Sequence, residues 1–373
     1  MPRKTGLVWH ERCMWHELGR FAGIMQAGFP VEPGQPHESA EAKRRLKNLL
    51  DASGFSDHLT AIPVRPATEQ ELLRVHTPAY LEKLAQLNKQ PAGCAGLDAY
   101  LTEGSYDIAK LAAGGCLEAV DAIMAGKVDN AYALVRPIGH HAEPDTGKGF
   151  CLLSNAALAA SHALERHGLE RVAMIDLDVH HGNGAQAVFW KDPRVLTISV
   201  HQEDWFPPAS GRHQEQGEAA GFGTNINIPL PAGSGWGAYK AACVEVVLPA
   251  LEQFCPQLII IPCGYDAGAQ DPLGRMILGS AHYRQMIEML MDAAAKTADG
   301  RVLVTHEGGY NPYTVPFMGL AVFEALVGQK STVADPMDEI TQNMPGHPLL
   351  VHQHKEIQKA ASLLKDLPAP HPL

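Results

Sequence analysis

Paired cysteines, long apolar runs and excess positive charge are scarce or missing in this sequence. The seven cysteines are scattered and include no Cys-x-x-Cys pair, which favours spare thiols in a reducing compartment over a disulfide framework. No apolar run approaches the roughly 18 residues that a membrane-spanning helix needs. The N-terminal segment lacks the apolar stretch of a signal peptide. These absences predict a soluble, cytoplasmic protein with no membrane partner.

The charge balance is acidic, because 30 Lys and Arg residues stand against 41 Asp and Glu residues and give a formal net charge of −11. This balance argues against nucleic acid as the main partner and would weakly attract cationic substrates. Hydrophobic residues make up 46% of the chain and charged residues 19%, which is typical of a folded protein with a large core.

Short apolar runs alternate with longer helical patterns along most of the chain. The predicted strands are 132–138, 171–179, 195–200, 257–263 and 301–307, and the predicted helices between them are 154–168, 235–254 and 279–300. Strands that are nearly continuous in Val, Ile and Leu and alternate with helices indicate a parallel sheet covered on both faces. The fold class is therefore predicted as α/β, a mostly parallel sheet flanked by helices.

The two ends of the chain are predicted to be helical. Before residue 132 the pattern favours helices at 39–54 and 69–87, and the tail at 335–373 reads as a loop and one helix. No internal repeat, low-complexity block or composition break marks a linker. We therefore predict one domain, residues 1–373.

An apolar stretch at 174–184 contains an unusual group of polar side chains. If the strand continues through it, Asp176, Asp178 and His180 share one face, because alternate residues of a strand point the same way. Buried neighbouring carboxylates repel each other unless a positive charge lies between them. Asp266 follows another predicted strand, and functional groups of parallel sheets gather at strand ends. Asp178, His180 and Asp266 thus predict a three-ligand catalytic metal site, with zinc, manganese and ferrous iron all compatible.

Two Asp ligands leave a divalent ion formally neutral, so such a site needs a separate base and a second electrophile. His140 and His141 follow a predicted strand, and both imidazoles can face one pocket only from a turn. Histidine is well suited to exchange protons near neutral pH. Tyr310 follows two glycines, and its hydroxyl could donate a hydrogen bond to a developing oxyanion.

These motifs resemble those of the histone deacetylase-like amidohydrolases of the arginase–deacetylase fold, most closely the bacterial class II-type members. The resemblance spans about residues 69–323 and includes RPIGHHAEPDTGKGFC, IDLDVHHGNGAQAVFW, GYDAGAQDPLG and EGGYNPYTVPF. It implies a zinc-dependent hydrolase that removes acetyl or similar short acyl groups from N-acyl-lysine-type amides by direct attack of water.

The resemblance also implies roles for the metal-site residues. Asp178, His180 and Asp266 match the ligands of a single catalytic zinc ion. The family tends to bind potassium as well, which leaves open a structural potassium ion near Asp176 and Ser199.

The expected proton-transfer groups match the family's motifs. His141 resembles the general base, His140 its protonated partner, and Asp176 the carboxylate that orients His140. Tyr310 resembles the hydroxyl that polarises the acyl carbonyl. Asn183 stands where other members carry Asp, and an amide cannot stabilise an imidazolium by charge. We therefore expect His141 to stay neutral and basic to lower pH.

Substrate-binding residues are also implied. Gly149, Phe150 and Phe206 match the walls that hold an aliphatic lysine stem in relatives. Leu273 occupies the position where one acetylpolyamine-selective relative carries a glutamate, which weakens a polyamine substrate without excluding it.

Alternatives to an acetyl-lysine deacetylase remain open. They are an acetylpolyamine amidohydrolase, a two-metal arginase-like ureohydrolase, whose additional ligands are not seen here, and a non-catalytic acetyl-lysine binder. The expected partner is an acetylated lysine or small acetylated amine, and the choice between monomer and homo-oligomer is left open.

Overall fold

The computed structural model describes residues 2–368, and its centre is an eight-stranded sheet. In chain order the strands are β1 Thr5–Trp9, β2 Leu59–Ile62, β3 Asn130–Leu134, β4 Val172–Asp176, β5 Val195–Gln202, β6 Asn225–Leu230, β7 Leu258–Cys263 and β8 Val302–His306. Their spatial order is β6-β5-β4-β7-β8-β3-β1-β2, and every pairing is parallel.

Helices connect and surround these strands. They are α1 Glu41–Ala52, α2 Glu69–Leu72, α3 Pro78–Leu87, α4 Ser105–Met124, α5 Asn155–His167, α6 Asn183–Phe189, α7 Trp236–Ala242, α8 Leu248–Phe254, α9 Ser280–Thr297, α10 Val315–Val327, α11 Asp338–Gln342 and α12 Val351–Ala361. A π-helical turn at Cys243–Val247 joins α7 to α8. Short 3-10 turns lie at Glu11–Trp15, Phe55–His58, Ala219–Gly221 and Ser362–Asp366.

Six two-residue strands form small ladders outside the main sheet. They are Phe21–Ala22, Met25–Gln26, Gly93–Cys94, Gly96–Leu97, Tyr100–Leu101 and Gly147–Lys148.

Apolar side chains cover both faces of the sheet. In β4, Ala173 and Ile175 belong to one buried cluster, while Val172 and Met174 belong to the other. The first cluster includes side chains of α9 and α10, and the second includes side chains of α4 and α5. The prediction of an α/β fold with a mostly parallel, doubly covered sheet is therefore confirmed.

All five predicted strands are present, but β6 was not predicted, and the prediction for the N-terminal region was incomplete. That region contains β1 and β2 besides its helices, and β1 lies inside the sheet between β3 and β2. The predicted helix 69–87 is interrupted after α2, because α3 starts anew at Pro78 with the Thr77 side chain as its N-cap. In the tail, α11 precedes α12, so the structure has one short helix more than predicted; residues 369–373 lie outside the described part.

None of the helices within residues 2–368 is long and apolar enough to cross a membrane. All seven cysteines are free thiols, five of them buried.

Candidate functional site

The polar side chains singled out in the sequence meet at the carboxyl edge of the sheet. His140 and His141 lie in the loop after β3, and Asp178 and His180 in the loop after β4. Asp266 follows β7 and Tyr310 follows β8. Because β3, β8, β7 and β4 are consecutive neighbours in the sheet, these loops lie side by side.

The prediction that Asp176, Asp178 and His180 lie on one strand was wrong in its local geometry. Strand β4 ends at Asp176, and the chain then turns. Asp176 Oδ1 accepts the N–H of Asp178 at 3.0 Å, and Asp178 Oδ1 accepts the N–H of His180 at 2.9 Å. Carboxylates that bind the backbone two residues ahead replace the strand ladder and favour a turn.

Asp178, His180 and Asp266 nevertheless converge, and they form a candidate metal-binding cluster with ligand atoms within 4.8 Å of one another. His180 Nδ1 lies 3.0 Å from Asp178 Oδ1 and 3.1 Å from Asp266 Oδ2. Both carboxylates are fully buried and the imidazole is 7% exposed. Three donors gathered in this way match the open ligand set of a catalytic site.

The surroundings of the cluster fit a bound cation. Burial opposes a charged imidazole, yet hydrogen bonds and charge from Asp178 and Asp266 raise the pKa of His180 to about 10. The electrostatic potential is therefore strongly negative where the ligand atoms meet. The carboxylates also lie directly on glycine backbone, since a Cβ at Gly264 would be 2.0 Å from Asp178 Oδ2 and one at Gly308 2.1 Å from Asp266 Oδ2. Only glycine leaves room for the acids in this arrangement.

The adjacent histidines have opposite proton affinities. Burial lowers the pKa of His140, but Asp178 and Asp176 outweigh it and raise that pKa to about 10. Its Nδ1 lies 3.0 Å from Asp176 Oδ2. Burial, reinforced by the positive charge of His140, lowers the pKa of His141 well below its usual value. His141 Nδ1 lies 2.7 Å from Asn183 Oδ1, so its ring contacts an amide where His140 contacts a carboxylate.

Glu307 and Lys43 support the histidine turn, and the sequence patterns did not single them out. The Glu307 carboxylate accepts the N–H groups of Gly139 at 2.8 Å and His140 at 3.1 Å. Lys43 Nζ donates to the Glu307 carbonyl at 3.1 Å from α1, far away in the sequence. Glu307 directly precedes the two glycines of the Tyr310 motif, and this position was the one feature of the sequence that could have indicated its role.

A cavity of about 240 Å³ opens above the cluster. His141, His180 and Tyr310 line it, as do all four predicted substrate-binding residues, Gly149, Phe150, Phe206 and Leu273. Ile24, Asp98 and Trp205 complete the lining and were not predicted, because they come from loops without a recognisable local pattern. The site thus combines apolar walls with a polar end.

Backbone geometry keeps this cavity open. Gly149 has φ of +46°, and a Cβ there would lie 2.4 Å from His141 Cδ2 and 2.7 Å from Phe206 Cε1. Phe150 also has a positive φ, +69°. Bulky residues rarely adopt this conformation, and such strain concentrates at functional sites.

Ser199 lies beside the turn that follows β4. It is paired with Asp176 in the register of β4 and β5, and its hydroxyl accepts the Gly182 N–H at 3.1 Å. Ser199 Oγ also lies 2.9 Å from His201 Nδ1. The potassium ion expected near Asp176 and Ser199 stays a prediction.

A second group with metal-ligand chemistry, Asp121, His162 and His167, joins α4 to α5. Its atoms are arranged as an ion-pair network: Asp121 Oδ1 lies 2.8 Å from His162 Nε2 and 2.6 Å from His167 Nε2. Arg74 donates to His162 Nδ1 at 2.8 Å. Because arginine is only a donor, His162 must carry its proton on Nε2, where a metal would have to bind.

Comparisons with known proteins identify the family to which the chain is similar. The family model described as "Histone deacetylase domain" matches residues 36–326. The chain is 46% identical to a "Histone deacetylase-like amidohydrolase" of Pseudomonas aeruginosa, over 99% of this chain and 98% of that one. It is 36% identical to "Histone deacetylase 8" of Arabidopsis thaliana, over 83% of this chain and 84% of that one.

The fold is shared with a solved structure of the same family. The crystal structure of the HDA15 HD domain superposes with a TM-score of 0.84 at 32% identity, covering 97% of this chain and 96% of that one. Family model, sequence relatives and fold agree over most of the chain, and it therefore belongs to the histone deacetylase domain family.

Proposed function

We propose that this protein is a zinc-dependent amidohydrolase that removes acetyl or similar short acyl groups from N-acyl-lysine-type amides. The observation that carries the proposal is the cavity, in which apolar walls lead to His141, His180 and Tyr310 beside the buried Asp178 and Asp266. Aliphatic stems favour apolar walls, and an amide carbonyl needs polar groups at its end.

In this proposal Asp178, His180 and Asp266 hold the zinc ion. When bound, zinc supplies Lewis-acid chemistry, polarising a carbonyl and making water more acidic. A site of one imidazole and two carboxylates is chemically suited to zinc, although these donors also suit manganese and ferrous iron.

His141 is the proposed general base. Its ring lines the cavity, and its lowered pKa keeps it neutral and able to accept a proton at neutral pH. His140, with its pKa raised to about 10, keeps its proton and places a positive charge beside the reacting groups. Its Nε2 has no hydrogen-bond partner among the described residues and so remains available as a donor.

Tyr310 is the proposed donor to the carbonyl oxygen. Burial raises the pKa of its phenol well above the usual value, so the hydroxyl keeps its proton. Asp271 holds the loop in place, because its Oδ2 accepts the Tyr310 N–H at 2.7 Å. A hydroxyl carried by a loop held in this way can donate to a developing oxyanion with little reorganisation of the loop during the reaction.

A second candidate substrate class is the acetylpolyamines. Asp98 lines the cavity, and a carboxylate there would attract the free ammonium groups of a polyamine. Leu273 on the same cavity offers no such partner. We therefore place acetyl-lysine first and acetylpolyamine second, with a cytoplasmic enzyme of one domain as the proposed context.

The test compares kcat/KM for an acetyl-lysine peptide with that for N-acetylputrescine and N-acetylspermidine, before and after chelation. We expect higher values for the peptide, loss of turnover on chelation and recovery with zinc. Tyr310→Phe should lower kcat by about 100-fold or more through loss of the oxyanion donor. Peptide binding without turnover would instead identify a non-catalytic binder, and preference for the polyamines would reverse the substrate assignment.

A further inference from the structure

The tautomer of the proposed base, His141, is determined by its neighbours. A neutral imidazole accepts a proton only at the ring nitrogen that carries none. His141 Nδ1 lies 2.7 Å from the side-chain oxygen of Asn183, so Nδ1 must donate and Nε2 keeps its lone pair. If the Asn183 amide were reversed, its NH₂ group would face Nδ1, and the proton of His141 would move to Nε2. Nε2 would then have no free lone pair, and the proposed base could not accept a proton there.

The orientation of the Asn183 amide is set by two acceptors on its other side. Its Nδ2 donates to the carbonyl of His141 at 3.1 Å and to Glu143 Oε1 at 2.7 Å. Reversal would place the amide oxygen against a carboxylate and a carbonyl, which is strongly unfavourable. The carboxylate is the stronger of the two acceptors, because hydrogen bonds to a charged group are roughly twice as strong as neutral ones.

Glu143 is itself held in place from several directions. Lys148 Nζ donates to its Oε1 at 2.5 Å, and its backbone N–H donates to the Thr146 carbonyl at 2.9 Å. The buried His76 donates from Nδ1 to the Glu143 carbonyl at 3.1 Å and accepts the Ser154 N–H at Nε2 at 3.0 Å. A partly exposed carboxylate therefore has a fixed position beside a buried amide.

We propose that Glu143 is a positioning residue for the hydrolysis. Its carboxylate orients the Asn183 amide, which keeps the proton of His141 on Nδ1 and leaves Nε2 free to accept one. This inference rests on the proposed function, because it assumes that His141 is the base. In this proposal Glu143 and Asn183 together orient His141, as the single carboxylate of Asp176 orients His140.

The test places Glu143→Ala in two backgrounds, the natural chain and Asn183→Asp. In the natural chain we expect kcat to fall about tenfold with little change in KM, because part of the population carries the wrong tautomer. An Asp at 183 presents an acceptor oxygen in either orientation, so it fixes the tautomer without Glu143. In that background Glu143→Ala should leave kcat unchanged or raise it, since it removes a neighbouring like charge. Each kcat is taken at the plateau of that variant's pH profile.

A matched control is Glu356→Ala on α12. It breaks a similar Glu–Lys pair, with Lys359, and Glu356 is 18% exposed against 21% for Glu143. This residue does not line the cavity, and we expect wild-type kcat. If Glu143 serves only to anchor its loop, Glu143→Ala will lower kcat equally in both backgrounds, and the proposal is overturned.

A second readout does not depend on catalysis. Protonated and unprotonated ring nitrogens give well-separated ¹⁵N signals, and the His141 signals can be assigned by their loss in His141→Ala. We expect a protonated Nδ1 in the natural chain and partial transfer of the proton to Nε2 in Glu143→Ala. An unchanged tautomer would refute the positioning role. A natural chain that hydrolyses no acyl amide would refute the proposed function instead, while the spectra would still test the tautomer.

Discussion

At the scale of single residues, two side chains of the same type in this site have different pKa values because their surroundings differ. His140 and His141 are adjacent, and their ring centroids lie 3.8 Å apart. Despite burial, the charges of Asp178 and Asp176 raise the pKa of His140, whereas burial and the positive charge of His140 lower the pKa of His141, whose contact with the neutral Asn183 amide does not offset them. Pairs of titratable groups separated in this way are typical of acid–base catalysis.

The amide beside His141 leads to a pH prediction. Asn183→Asp places a negative charge next to the ring and should raise the pKa of His141 by about one unit or more. The base acts in its neutral form, so activity falls once the pH drops below that pKa. The acidic limb of the kcat/KM profile should therefore move to higher pH in Asn183→Asp. Steady-state rates between pH 4.5 and 9 measure the shift, and an unmoved acidic limb would contradict this account of the base.

The buried ion pair between Glu38 and Arg136 leads to a prediction about the stability of the fold. Burial raises the pKa of Glu38, but the charge and hydrogen bonds of Arg136, with help from Lys43, outweigh it and lower the pKa to about 2. The stabilisation is therefore complete above pH about 4.5 and is lost as the pH falls towards 2. Glu38→Gln should lower the free energy of unfolding by about 3 kcal/mol at pH 7, because it leaves the buried Arg136 guanidinium without a charged partner and with the His16 carbonyl as a remaining neutral acceptor.

Urea unfolding of Glu38→Gln and the natural chain at a series of pH values measures this difference. It should narrow as the pH falls below about 4.5, where the natural carboxyl begins to take up a proton. Glu41→Gln is the control, since its pair with Arg45 is exposed and such pairs contribute less than about 1 kcal/mol. If the difference in the free energy of unfolding stays constant down to pH 2.5, it does not arise from the ion pair between Glu38 and Arg136.

At the scale of secondary-structure elements, the strands with continuous apolar runs were the ones that the sequence predicted most accurately. Residues 257–263 contain the uninterrupted apolar run LIII and form β7 nearly as predicted. In β6, by contrast, Asn225 and Asn227 alternate with Ile, and both amides donate to Gln186. Pairing and hydrogen bonding with distant residues stabilise this strand, and no local pattern reports such partners.

Helix α4 provides an element-scale test of packing. Replacing a helical glycine by alanine normally stabilises a helix by about 1 kcal/mol. At Gly114, however, a Cβ would lie 1.9 Å from the Arg65 carbonyl oxygen and 2.6 Å from the Ala67 nitrogen. Backbone atoms cannot yield as a side chain does, so Gly114→Ala should destabilise the protein by about 2 kcal/mol or more.

The neighbouring Gly115→Ala is a matched comparison on the same helix. Its Cβ would meet a side-chain methyl, Val8 Cγ1, at 2.6 Å, and this group can shift. We expect a smaller loss than for Gly114→Ala, measured as thermal midpoints of both variants. Equal losses of thermal midpoint in the two variants would mean that the close backbone contact at Gly114 does not determine how well α4 accepts an added Cβ.

At the scale of the whole molecule, the candidate site joins loops that are far apart in the sequence. Histidines, acids and the tyrosine could be found from their positions after predicted strands, because parallel strands bring their carboxyl ends to one edge. Ile24, Asp98 and Trp205 could not, since the walls of the cavity depend on how long loops fold over that edge. Strand periodicity placed Asp178 on β4, whereas the structure places it in a carboxylate-stabilised turn.

The two clusters of potential metal ligands allow a test on the intact chain. Asp178, His180 and Asp266 come from loops after β4 and β7, so a bound ion links two neighbouring strands and should stabilise the fold by mass action. At a free zinc concentration of about 100 times Kd, the gain in the free energy of unfolding is about 3 kcal/mol. We expect one zinc ion per chain, and a thermal midpoint that falls on chelation and recovers with zinc.

Variants of both clusters separate the metal effect from ordinary loss of contacts. The quantity to compare is the difference in thermal midpoint with and without zinc, because the intrinsic stability of each variant then cancels. Asp266→Ala should abolish this difference together with the bound ion. Asp121→Ala should retain both, since Arg74 fixes the proton of His162 on the nitrogen that a metal would need. Loss of zinc in Asp121→Ala together with its retention in Asp266→Ala would transfer metal binding to the cluster between α4 and α5, and two ions per chain would contradict the expectation of a single site.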